Sequence, residues 1–167
     1  AACTSVPDEK MTSYVDFPET RKLTARTLSL DTALFRYPYR VRIQDDKAVV
    51  LDLHGTEYFF HAFHYPGFHY LSSFGKRGDA PEEMLSAENL RWNGNFLWTL
   101  DSNKSELTRL GFASSGDSLL RLEAVSLDEE LLRALDFVQY DDSTFIIPDY
   151  SGDSRFCLVS RQGKLLR

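Results

Sequence analysis

Three times along the chain an almost uninterrupted apolar run ends on an aspartate. The runs are Ala48-Val49-Val50-Leu51-Asp52, Phe96-Leu97-Trp98-Thr99-Leu100-Asp101 and Phe145-Ile146-Ile147-Pro148-Asp149. Their β-branched and aromatic content predicts strands. They lack apolar-polar alternation, which predicts burial on both faces of a sheet. Polar turns follow at 53–57, 102–105 and 150–154, rich in the Gly, Ser, Asn and Asp that tight reversals use. A second apolar strand comes next in each copy, at 58–63, 107–112 and 155–159, and Gly67, Gly116 and Gly163 mark the turn after it. Outer strands are predicted at 69–74 and 118–125, and a first strand ahead of each aspartate run at 39–43, 90–92 and 134–138.

The aspartates stand 49 and 48 residues apart. A period this long excludes leucine-rich and ankyrin arrays and matches the upper end of propeller blades. One four-stranded sheet leaves an apolar face bare, and stacking sheets around an axis is the usual remedy. The expected fold class is therefore all-β: β-propeller blades of four antiparallel strands, about three in number with the last incomplete, forming a partial or half propeller over 21–167. Between blades, 79–82 and 126–129 each place a capping residue three positions before a glutamate, which predicts a short helical turn at each junction. Residues 22–30 offer one further strand that can complete the final blade of a closed ring.

At 167 residues, with 43% apolar and 13% aromatic side chains, the chain is long enough to form its own core. Nineteen basic against 25 acidic residues give a net charge of -6, and no Lys/Arg run forms a phosphate-tracking stripe, so nucleic acid is not an expected partner. No apolar stretch reaches the roughly 18 residues a bilayer span needs. Membrane attachment is expected only through an anchor. Ala1-Ala2-Cys3, followed by the polar run 4–10, resembles the end of a bacterial lipoprotein signal, in which small residues precede a cysteine that becomes lipidated. That resemblance makes Cys3 the lipid attachment site and residues 1–20 a tether. Cys157 lies inside an apolar run and reads as a buried small hydrophobe.

The stretch Phe74-Gly75-Lys76-Arg77-Gly78-Asp79-Ala80-Pro81-Glu82-Glu83-Met84 resembles the TolB-like six-bladed propellers found among predicted lipoproteins of Gram-negative bacteria. That family's pattern is Phe-Gly, two polar residues, Gly, a small residue, then Gly-Pro-Gly-Glu-Phe. Phe74, Gly75, Gly78, Pro81 and Glu83 match it; Ala80, Glu82 and Met84 depart. The two lost glycines make the loop less permissive where φ is positive. With the repeat rhythm, the resemblance covers 38–167. It implies six blades, which at about 48 residues each need about 290 residues. Either a longer chain or self-association of half rings into a homodimer would supply them.

Candidate chemistry is sparse. His54, His61, His64 and His69 fall within one repeat, but 61 and 64 point to opposite sides of an extended strand and no cysteine joins them. Asp141, Asp142, Asp149 and Asp153 lack the spacing of a calcium loop. Gly75-Lys76-Arg77-Gly78 lacks a Walker arrangement and reads as a blade-connecting turn. There is no Gly-x-Ser-x-Gly elbow. Trp92, Trp98, Tyr65 and Tyr70 can stack on a sugar or simply fill the core. No catalytic, metal or cofactor assignment follows, and the ligand-binding residues stay open. The expected function is a noncatalytic binding or scaffolding module for a protein or carbohydrate, on a lipoprotein of the cell envelope anchored at the outer membrane. A propeller hydrolase acting on a glycoside or lactone is the alternative.

Overall fold

Every apolar run that ends on a repeat aspartate is the second strand of an antiparallel sheet. The computed structural model describes residues 19–28, 30, 35–152 and 154–167. Its first sheet is β1 (Pro38–Gln44), β2 (Lys47–Asp52), β3 (Tyr58–His64) and β4 (His69–Lys76), side by side in chain order. The second repeats it with β5 (Asn89–Asn93), β6 (Phe96–Asp101), β7 (Glu106–Phe112) and β8 (Leu119–Ser126). The third holds β9 (Val138–Gln139), β10 (Thr144–Pro148) and β11 (Phe156–Ser160). Past β11 the chain turns back, Val159 bridges Leu165, and the Leu166 N–H donates to the Leu158 carbonyl at 2.8 Å, the beginning of a fourth strand. The described residues are thus a partial propeller of two complete blades and a third still short of its outer strand.

Successive side chains on a strand point to opposite faces, so the central strands carry two cores at once. Val49, Leu51, Phe60, Leu90 and Leu97 fill the space between the first and second sheets. Trp98, Leu100 and Leu107 pack against Phe137, Phe145, Ile147 and Val159 between the second and third. Leu97 and Trp98 are neighbours in sequence yet belong to different cores, which explains why these runs show no alternation. Each large side chain so buried contributes about 1.5–3 kcal/mol. The outer strand β8 is less covered and does alternate, with Leu120 and Leu122 about half exposed, and a bulge at its pairing with Arg109 and Leu110 sends Leu119 to the first core and Val125 to the second.

The repeat aspartates have a structural role that their spacing alone does not reveal. All three are buried, and each carboxylate ties the chain entering its blade to the turn after its second strand. Asp52 accepts the N–H groups of Arg36 and Tyr37 at 2.8 and 2.6 Å. Asp101 accepts those of Leu85, Ser86, Asn103 and Lys104 at 2.7–3.2 Å and the Ser86 hydroxyl at 2.9 Å. Asp149 accepts those of Leu132, Arg133, Ser151 and Gly152 at 3.0–3.1 Å. A carboxylate is a favourable acceptor for several backbone donors at once, and nearby N–H groups would otherwise be buried without partners.

The same staple corrects the junction expectation. Residues 79–85 and 126–132 form single turns, closed by Glu83 N–H to Ala80 O at 2.9 Å and Leu131 N–H to Asp128 O at 3.0 Å, with no helix. The amides that would continue a helix are the ones Asp101 and Asp149 take. The third first-strand also begins later than expected, at Val138, because 131–137 is spent on the staple and on packing Leu131, Ala134 and Phe137 into the core. Residues 19–28 form no strand, and Leu23 is 90% exposed. Leu30 and Phe35 instead pack on Ala48, Val50 and Phe63, the far side of the first sheet. At the other end of the repeat, Gly163 sits at φ +86 with its α-carbon pressed on the Ser126 carbonyl, leaving no room for a β-carbon.

Candidate functional site

The hairpins joining the first two strands of each blade emerge on one side of the sheets. Between the second and third blades they leave a groove. Its inner part, about 580 Å³, is bounded by Arg42, Arg91, Trp92, Asn93, Trp98 and the segment Phe137 to Asp142. Its outer part, about 620 Å³, continues past Phe96, Arg109, Glu123 and Arg161. Strand register places these groups. Arg42 on β1 lies opposite Val49, and Arg91 on β5 opposite Trp98, so each arginine reaches from the first strand of its blade toward the next blade.

Three of the four arginines are held by carboxylates. The Arg91 Nη2 donates to both oxygens of Asp136 at 2.9 and 3.0 Å, and the Asn89 amide donates to the same carboxylate. Arg161 forks onto Glu123 at 2.6 and 3.1 Å, and Arg109 Nε lies 3.2 Å from Glu123 Oε2. The guanidinium carbons of Arg109 and Arg161 sit 4.6 Å from the ring centres of Phe96 and Trp98, a cation-π geometry. Arg42 differs: its Nε donates to the Leu90 carbonyl at 2.9 Å, and among the described residues no carboxylate lies within ion-pair reach. Burial, then the neighbouring charges of Arg40 and Arg91, pull its guanidinium below the ordinary value.

The carboxylates shift the other way. Burial alone would raise Asp136, but the Phe137 N–H, Arg91 and Asn89 hold it below the usual range. Glu123 is lowered chiefly by its hydrogen bond to Arg161. Asp149, opposed by burial, is lowered by its four backbone donors. A carboxyl whose folded value lies below its unfolded value of about 4 adds stability above that pH and loses it as pH falls through the folded value. Unfolding midpoints in urea are therefore expected to fall modestly as pH drops below the usual histidine value of about 6.5, because buried His61 resists protonation, and to drop further below about 4 as the carboxylates protonate. A midpoint unchanged at pH 3, well below the usual carboxyl range, would contradict these assignments.

The family profile of the TolB-like 6-blade propeller-like proteins matches residues 16–167. The chain belongs to that family. Among solved structures it is similar to the crystal structure of a "Putative exported protein" from Bacteroides fragilis NCTC 9343, with a TM-score of 0.61 and 14% identity. The match covers 83% of this chain and 39% of that one, so the chain spans about two-fifths of the neighbour's length. No protein of curated function matches.

In this TolB-like chain the family stretch 74–84 is a clasp between blades. Arg77 bridges Met84, and the Gly78 N–H donates to the Met84 carbonyl at 2.9 Å. Glu83 folds back to accept Lys76 at 2.7 Å and the Ala80 N–H at 3.3 Å, against Gly78, where a β-carbon would collide with it. Lys104 caps the Ala80 and Glu83 carbonyls, and Arg121 caps that of Pro81. The loop is a blade-connecting turn whose own carbonyls take up the nearby cations. Gly75 is held at φ +66, while neither Ala80 nor Glu82 has a positive φ, so the lost glycines are tolerated.

The four histidines do not converge. His54 packs on Tyr37, His64 lies 3.3 Å from Asp46, and His69 is exposed. His61 is buried, with Nδ1 2.8 Å from Ser73 Oγ, and burial pushes its pKa down. Asp141 binds the N–H and hydroxyl of Ser143 in its own turn, Asp142 lines the groove, and Asp153 and Cys3 lie outside the described residues. Cys157 is buried in the second core, which raises its thiol pKa. Tyr65 packs on Phe68 and Tyr70 bonds Ser73, but Trp92 and Trp98 do meet at the groove. The groove arginines were missed by sequence reasoning. A signal was available: Arg42 and Arg91 each stand ten residues before their repeat aspartate.

Proposed function

We propose that this chain is a noncatalytic binding or scaffolding module of a cell-envelope lipoprotein, taking its ligand in the groove between the second and third blades. The observation that carries the reading is the state of the groove's acids. Glu123 and Asp141 on its wall and Asp136 beside it are all tied up by hydrogen-bond donors and held below the ordinary carboxylate range, which among the described residues leaves Asp142 as the one lining acid without such a tie. A general acid for glycoside or lactone cleavage needs the opposite shift. What the groove offers is fixed cations, amides and aromatic rings in a concave surface, the composition of a recognition site.

The envelope part of the reading rests on Ala1-Ala2-Cys3 and is in keeping with a structural neighbour described as exported. Its test is fractionation of the full-length protein with its signal in place. The protein is expected with the membranes and its Cys3→Ser variant in the soluble fraction; a variant that stays with the membranes removes the lipid anchor from the proposal. Pull-down from envelope extracts with wild-type protein and an Arg91→Ala variant tests the groove, since a groove ligand is lost with Arg91.

A further inference from the structure

Of the cations that line the groove, only Arg42 lacks a carboxylate within ion-pair reach among the described residues. It comes from the first strand of the first blade, and its single fixed contact is the Leu90 carbonyl. Arg40 and Arg91 crowd it with like charge, which the more distant Asp136 carboxylate offsets only in part. A partly buried guanidinium is costly unless paired and hydrogen-bonded. Arg91, Arg109, Arg121 and Arg161 all have carboxylate partners, and among the other partly buried arginines of the described residues only Arg40, outside the groove, shares the lack of one. Beside Arg42 the groove wall presents Asn93, and the Trp92 indole N–H is buried with no partner among the described residues.

We infer that Arg42 is an anion-docking residue: the groove takes a ligand bearing a carboxylate or phosphate, which pairs with the outer guanidinium nitrogens of Arg42. This deepens the binding reading above and rests on it. A planar guanidinium fits either oxyanion through two parallel N–H donors. The negative groups on this side of the groove fix the direction of the ligand. Asp136 is saturated by Arg91 and Asn89, and Asp141 by its own turn. Asp142 stands at the junction of the two parts of the groove, so the anionic head belongs at the Arg42 end and hydroxyl or amide donors at the Asp142 end.

The chain's two tryptophans both line the groove, so tryptophan fluorescence reports on it directly. The full chain is titrated at low ionic strength with inorganic phosphate, with galacturonate and with galactose, which differs from galacturonate by the carboxylate. Saturable responses are expected to phosphate, to galacturonate or to both, and the arm that responds identifies the anion. Arg42→Gln, which keeps a donor for the Leu90 carbonyl, should weaken them roughly tenfold or more, as loss of a charged hydrogen bond does. Arg42→Lys should restore part of the affinity, and Arg133→Gln, an exposed control, should change nothing. Unchanged affinity in Arg42→Gln overturns the inference. A response to galactose equal to that of galacturonate, with none to phosphate, also overturns it while leaving the groove as a binding site. No response to any of the three removes the anion site, and ligand capture lost in Arg91→Ala would still stand for the groove.

Discussion

Replacing Asp101 with alanine will lower the unfolding free energy of the chain by about 3–4 kcal/mol, because several part-buried N–H groups lose their acceptor at once and each group left without a partner costs up to about 1–3 kcal/mol. The Asp101 carboxylate is 1% exposed and holds four backbone N–H groups and one hydroxyl. The donors are only part-buried, so water can take up some of them, and the loss stays below the sum over all five. The asparagine variant separates geometry from charge. Oδ1 alone accepts four of the five donors, so an amide oxygen placed there keeps most of them and turns an NH₂ group toward the Leu85 N–H. A loss of about 1–2 kcal/mol is expected for Asp101→Asn. Urea unfolding of the three proteins checks the order. An alanine variant within about 0.5 kcal/mol of wild type, as at an ordinary surface position, would show that the staple does not hold the blade.

This dependence explains why the repeat was legible. An aspartate that must meet both the incoming chain and the following turn fixes its own position in each unit, so the spacing of Asp52, Asp101 and Asp149 reports blade length directly. The strands were legible because Val49 to Leu51 and Leu97 to Leu100 serve two cores and so lose their alternation. The junctions misled because a capping residue followed by glutamate describes only local preference. In the fold, Leu85, Ser86, Leu132 and Arg133 give their amides to carboxylates some 15–17 residues away in sequence. Local propensity loses to a buried charge that needs donors.

The groove was harder to read for a related reason. Glu123 and Arg161 are 38 residues apart, and Asp136 and Arg91 are 45 apart. Each pair joins different blades, and no local motif encodes it. Trp92 and Trp98 stand out in the sequence as aromatic candidates, but only the register of β5 on β6 sets them beside Arg42 and Arg91. The conspicuous histidines, by contrast, cluster in sequence and scatter in space, since alternate residues of β3 face different neighbours.

Isolated in solution, the 167-residue chain will pair with a second copy, and light scattering should give twice the mass of one chain. Its two terminal sheets each leave an apolar face without a sheet against it. On the third, Val138, Ile146, Leu158 and Leu166 form one row across four strands, with Phe156 72% exposed beside them. On the first, Leu30 and Phe35 cover Ala48, Val50 and Phe63, and the apolar strip left open is Tyr39, Val41 and Ile43 along β1, each 46–47% exposed. Faces of this kind mark contact surfaces. Two half rings related by a twofold axis set the third sheet of each against the first sheet of the other, and the two contacts close a ring of six sheets, the number of blades that names the family. In a longer chain the same faces would carry neighbouring blades. Leu158→Glu puts a charge in the centre of the row without touching either core, so it should yield a folded monomer. If the wild-type chain already runs as a monomer, or the glutamate variant remains a dimer, these faces are not what joins the copies.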